Sequence, residues 1–213
     1  MTEKSASRAP GYRTGRMEAF SDGVFAFAIT LLVFEIAVPA GSGDDLLGAL
    51  ADQWPSYLAY IVSFSTIGAV WFAHTVITEY LDHADSVLVR LNLLLLFVFS
   101  FLPFPTQLLA EYIGEAEAER FAVTLYGICL LAAMIMVSVT WRYAVGAKLV
   151  RPNLADEDVR TLTKRLTPTL GVYAAMILLG WFLPVLAVFG YLAIAVFILI
   201  PFSALRHRTK QQT

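Results

Sequence analysis

Four polar side chains crowd the entrance to an apolar stretch. Arg16, Glu18, Ser21 and Asp22 open the segment 16–38, which reads RMEAFSDGVFAFAITLLVFEIAV. From Gly23 to Phe34 the run is apolar apart from Thr30, and Glu35 then adds one more charge. In a helix rising 1.5 Å per residue, residues 20–38 cover roughly 30 Å, the thickness of a bilayer's hydrocarbon core. Ionisable groups at that depth are costly, so they face protein or a water-filled path and mark function. The chemistry on offer is the handling of charge inside a membrane.

Residues three and four apart share a helix face, so Phe27, Thr30, Leu31 and Phe34 form one stripe, with Gly23 a turn below and Val38 a turn above. The stripe reads either as a lining with a hydroxyl at mid-depth or as ordinary bundle packing. In the packing case Thr30 bonds a carbonyl of its own preceding turn. A second helix running the other way brings Trp71 and His74 to the depth of Ser21 and Asp22, and a third brings Arg90 and Asn92. Arg16, Asp22, Trp71, His74 and Asn92 then compose one buried polar layer, in which Asp22 must be paired to be tolerated. They read equally as independent interfacial residues, since Trp and Arg are routine at membrane edges.

The elements that must position these groups follow from hydropathy. The chain has 213 residues, 58% apolar and 15% charged, with a mean hydropathy of +0.69. That composition is too apolar and too poor in charge for a soluble domain and predicts an all-α integral membrane protein. Six spans are expected at about 17–38, 57–78, 87–109, 121–145, 170–189 and 191–205, forming one transmembrane unit over 16–206 between tails 1–15 and 207–213. Residues 39–55 read as a Gly/Ser/Asp linker, and 147–167 as a short amphipathic or loop segment. The N-terminal residues lack the apolar core and cleavage site of a signal peptide. With both termini inside, fourteen of the 15 Lys and Arg residues fall on the inner side and only Arg120 outside. The positive-inside rule therefore predicts a multi-pass plasma-membrane protein with cytoplasmic ends. Net charge −2 leaves no basic face for nucleic acid. Cys129, the sole cysteine, admits neither an internal disulfide nor a multi-cysteine metal site.

The residues Arg16-Met17-Glu18-Ala19-Phe20-Ser21-Asp22 match R-x-x-x-F-S-D, and in this they resemble the transmembrane protein 175 family of potassium channels. The following GVFAFAITLLVFEI looks like the prokaryotic members. Trp71 with His74, and the third-segment pattern RLNLLLLFVFSFLPFPTQLL, are further likenesses. The resemblance covers the first three segments by motif and the last three by hydropathy and length. It implies a homotetramer of six-helix subunits in the lipid bilayer, each giving its first helix to a central pore that passes K⁺ and needs no cofactor. In keeping with it, the chain has neither a T-V-G-Y-G-like carbonyl filter loop nor an arginine-rich voltage-sensor helix.

By the same resemblance, the fifth position after Asp22 forms a constriction and the eighth contributes to selectivity. These are Phe27 and Thr30, with Leu31 and Phe34 continuing outward. Phe27 departs from the usual Ile or Leu; its ring can close a pore by dewetting or offer cations an aromatic face. Arg16, Phe20, Ser21 and Asp22 are implied to brace the first helix against the second and third. Glu35 and the acidic residues Asp44, Asp45, Glu111, Glu115, Glu117 and Glu119 either concentrate cations at the outer mouth or are simply solvated. A proton-coupled transporter using Asp22 and His74 is the alternative, although no repeat relates the two halves and RMEAFSDG has no counterpart in the fourth segment. An enzyme is not expected, for the three His and one Cys offer no metal or nucleophile cluster.

Overall fold

The computed structural model describes residues 12–37 and 41–199; the remainder of both tails and the expected end of the sixth span, from residue 200, lie outside them. The elements among the described residues are all helical. Helix α1 spans Thr14–Leu31 and tightens into a 3₁₀ turn over Leu32–Glu35. The expected linker carries a short helix, α2, over Leu46–Asp52. Asp45 starts it by accepting the Gly48 amide at 2.9 Å, as an N-cap aspartate does. Helix α3 spans Trp54–Tyr80, with Pro55 in its first turn, where a missing N–H is harmless.

The third apolar run is two helices, α4 over Ser86–Phe101 and α5 over Pro103–Tyr112. Pro103 and Pro105 have no N–H to offer the ladder, so the chain breaks at Leu102 and restarts. Helix α6 spans Ala116–Gly146.

Helix α7 begins at Asp156, well before the expected residue 170, and ends at Phe182. Much of the polar connection is therefore helical. Its opening acids Asp156, Glu157 and Asp158 suit a helix N-terminus, and Leu162, Leu166 and Tyr173 continue the buried face. The last break also moves: it falls at Leu183, ahead of Pro184, rather than at Gly190. Proline disfavours a helical residue before it, whereas Gly190 stays inside α8, Pro184–Leu199. Among the described residues, five helical stretches are long and apolar enough to cross a membrane, Ser86–Tyr112 counting as one, and α8 is a shorter apolar helix.

Packing is centred on two helices. Helix α3 lies against α1, α5 and α8, and α6 against α4, α5, α7 and α8. Helix α1 touches α3 and α4 and sits at the edge of the bundle. At one end, short backbone bridges tie three segments together. Tyr12 exchanges both hydrogen bonds with Ala84 at 2.8 and 3.0 Å, the Asp82 amide donates to the Leu149 carbonyl, and the Arg151 amide to that of Tyr80. The N-terminus of α1, the α3–α4 loop and the α6–α7 loop are thus on one side.

Candidate functional site: the first helix and its polar brace

Helix α1 has two faces. Ser21, Phe25 and Ala28 are buried against α3 and α4, and Leu32, on the 3₁₀ turn, against α3 and α5. On the other side Phe20, Phe27 and Phe34 are 56, 64 and 77% exposed, Thr30 is exposed and Leu31 partly so. Phe34 lies on the 3₁₀ turn, where residues three apart eclipse, which aligns it with Leu31. The stripe therefore faces away from its own subunit. The Thr30 hydroxyl donates to the Phe27 carbonyl at 2.8 Å. That bond uses its hydrogen and leaves oxygen lone pairs to face outward. Between α1 and α4 runs a groove of about 500 Å³, bordered by Ala19, Gly23 and Phe27 on α1 and Ser100 on α4.

The polar residues divide into two sets. Asn92 on α4 donates from Nδ2 to Ser21 Oγ at 2.9 Å, and Ser21 in turn donates to the Met17 carbonyl at 2.8 Å. The Asn92 Oδ1 atom lies 2.8 Å from His74 Nε2. A carbonyl oxygen only accepts, so Nε2 carries the proton and donates. Ser21, His74 and Asn92 are all buried. This chain of bonds fastens α1 to α4 and α4 to α3, and the Phe25 ring fills the space beside it, 5.5 Å from His74 and 4.9 Å from Phe99. Separately, Trp71 Nε1 donates to Asp22 Oδ1 at 2.8 Å on the exposed side. Of the two readings the sequence left open, one polar layer or independent residues, neither holds whole: the residues form a buried triad and an exposed pair. Arg16 is exposed and joins neither: it has no ion-pair or hydrogen-bond partner among the described residues.

Sequence reasoning missed a second polar cluster. Ser63 on α3 donates to the Tyr126 hydroxyl on α6 at 3.0 Å and lies 2.8 Å from Thr106 Oγ1 on α5. All three are buried and join three helices at one point. The available signal was Ser63 and Thr66 in the middle of an apolar segment; their partners are far away in sequence. Two of the acids considered for an outer mouth have local structural roles or settings. Asp45 caps α2, and Glu119 is buried near the start of α6.

The match to known proteins falls on these elements. The family model described as "Endosomal/lysosomal potassium channel TMEM175" matches residues 16–103, from near the N-terminus of α1 to the break after α4. A Streptomyces collinus protein named a potassium channel is 46% identical over 60% of this chain and 63% of its own length. Another potassium channel, from Chamaesiphon minutus, is 42% identical over 75% of this chain and 80% of the relative. The chain belongs to the TMEM175 family. A crystal structure of a TMEM175 homologue from Chamaesiphon minutus, described as a lysosomal potassium-selective channel homologue, superposes with TM-score 0.79 at 37% identity over 91% of this chain and 97% of that one. A more distant TMEM175 from Gallus gallus, named an endosomal/lysosomal proton channel, is 35% identical over 61% of this chain but only 28% of its own length. Membership assigns the chain to a family of ion channels in membranes.

Proposed function

We propose that this TMEM175 chain is a potassium-permeable, leak-like cation channel whose narrowest part is built on α1. Four copies surround an axis, each turning the Phe27, Thr30, Leu31 and Phe34 stripe inward. The observation that carries this reading is the orientation of α1. A helix at the edge of its subunit turns its largest apolar side chains and its one mid-depth hydroxyl away from its own core. Rings of Phe27 would gate by dewetting, and outward lone pairs on Thr30 are suited to a partly dehydrated cation. The naming of related proteins as potassium channels supports K⁺ as the permeant ion.

Six spans with cytoplasmic termini in the plasma membrane complete the reading. The backbone bridges support this topology, because they gather on one side the segments flanked by Arg13, Arg16, Arg90, Arg142, Lys148 and Arg151. The triad Ser21–Asn92–His74 and the pair Asp22–Trp71 brace α1 and take no part in ion contact. A proton relay through Asp22 and His74 has less support: among the described residues no hydrogen bond joins them, each having another partner.

Flux from liposomes loaded with K⁺, Na⁺ or Cs⁺ tests the proposal. Passive, K⁺-preferring flux is expected, faster in Phe27→Ala and less selective in Thr30→Ala. Flux that requires a proton gradient and ignores both substitutions would place transport elsewhere.

A further inference from the structure

On the side of the bundle away from α1, helices α3, α6, α7 and α8 leave a groove of about 600 Å³. Its walls are apolar, with Val70, Met134, Leu166, Val172, Ala193 and Phe197 prominent among them. Arg165 and Thr169 on α7 are the polar exceptions. The groove is therefore amphipathic along its length. Val70 and Met134 are deep in their spans, whereas Arg165 belongs to the end of α7 nearest the α6–α7 loop, on the side that the basic residues mark as cytoplasmic. From Arg165 to Val172 the helix rises about 10 Å, most of the depth of one leaflet of a core roughly 30 Å thick.

The rim adds positive charge. Arg142, near the inner end of α6, donates from Nη2 to Thr167 Oγ1 at 3.0 Å, one residue from the groove-lining Pro168. That contact occupies one of the five N–H donors of its guanidinium. Lys164 precedes Arg165 in the chain. Guanidinium groups bind phosphate through paired, charge-assisted bonds, and basic pockets between spans on the cytoplasmic side suit anionic headgroups.

We propose that this groove is a binding site for an anionic phospholipid of the inner leaflet, its acyl chain lying along α7 and α8 and its phosphate held by Arg165 at the rim with Arg142 beside it. The charge at one end and the apolar walls over the rest match the two parts of that ligand. The site is separate from α1, so this proposal stands or falls independently of the conducting role of Phe27 and Thr30.

Native mass spectrometry of the purified chain, titrated with phosphatidylglycerol or with phosphatidylcholine of the same acyl chains, tests it. The wild type should retain phosphatidylglycerol with about a tenfold preference. Arg165→Gln should bring the two lipids close to parity, and Ala193→Trp, which fills the groove, should reduce retention of both. If Ala193→Trp does not fold, Val172→Trp blocks the opposite wall. Equal retention of the two lipids by the wild type would overturn the proposal, as would an unchanged preference in Arg165→Gln. A groove covered by another copy of the chain, or by residues 200–213, would give that same absence of preference.

Discussion

Asn92 is the side chain on which the brace of α1 depends. Its amide satisfies both neighbours at once, giving a hydrogen to Ser21 and accepting one from His74 in a buried setting. A buried polar group that loses its partner costs about 1–3 kcal/mol, whereas removing both partners together can be nearly neutral. Asn92→Leu should therefore destabilise the protein by about that amount, and adding His74→Leu should recover part of the loss. Thermal melting of the two single variants and the double variant in detergent checks this. Additive losses would mean that the two side chains do not act together. Ser21 has a second acceptor in the Met17 carbonyl, so its hydroxyl is not stranded in either variant.

Glycines decide how closely helices approach, and they do not all act alike. Tyr126, Tyr173 and Tyr191 cluster where α6, α7 and α8 meet, Tyr191 stacking on Tyr173 at a centroid distance of 6.2 Å and lying tilted to Tyr126 at 5.7 Å. A Cβ on Gly127 would lie 2.0 Å from the Tyr191 hydroxyl and 2.9 Å from its ring carbon, and that ring is buried. At Gly190 the obstacle is the Met176 sulfur, the end of a flexible side chain. Gly127→Ala should cost about 1–3 kcal/mol, as overpacking does, and Gly190→Ala much less. Melting temperatures compared side by side would show it, and equal effects would mean that the Tyr191 ring can move aside. Proline acts in the opposite sense, separating α4 from α5 and α7 from α8.

Across the molecule, the end of the bundle that carries the N-terminus of α1 is held together by the α3–α4 and α6–α7 loops. Asp85 begins α4 by accepting the Leu88 amide at 2.7 Å, and it accepts the Tyr143 hydroxyl from α6 at 2.5 Å. Partial burial works against its charge, but these hydrogen bonds outweigh it and hold the carboxyl below the usual aspartate range. A carboxylate depressed on folding stabilises fully above its unfolded pKa of about 3.9 and loses that contribution as pH falls through its lower folded value. Stability attributable to Asp85 should therefore be constant near neutrality and decline below about pH 4. Asp85→Asn should flatten that part of the pH profile of the melting temperature, and an unchanged profile would assign the acid sensitivity to other groups.

Much of this molecule is written in local patterns. Apolar runs of membrane-spanning length and the positions of Lys and Arg imply a multi-span helical protein, because hydropathy and helix rise are short-range properties. The spacing of Phe27, Thr30 and Phe34 likewise puts them on one side of α1, where the structure leaves them exposed. What spacing cannot supply is the partner across the fold. The Asn92–Ser21 bond joins residues 71 apart, and the Ser63–Tyr126 bond residues 63 apart. Each depends on how helices are rotated and offset when they pack. The same limit governed α7, whose polar first half becomes helical because Leu162 and Leu166 find a buried face, and because the Trp141 indole donates to Thr163 at 2.9 Å. Arg16 shows the converse: its motif position suggested a place in the buried layer, but the packing leaves its side chain outside. Sequence alone determined that the protein is helical with several apolar runs of membrane-spanning length, and which residues of the first helix share a face. Tertiary packing decided which polar groups are paired in the interior, since burial and pairing are set by the neighbours a helix meets.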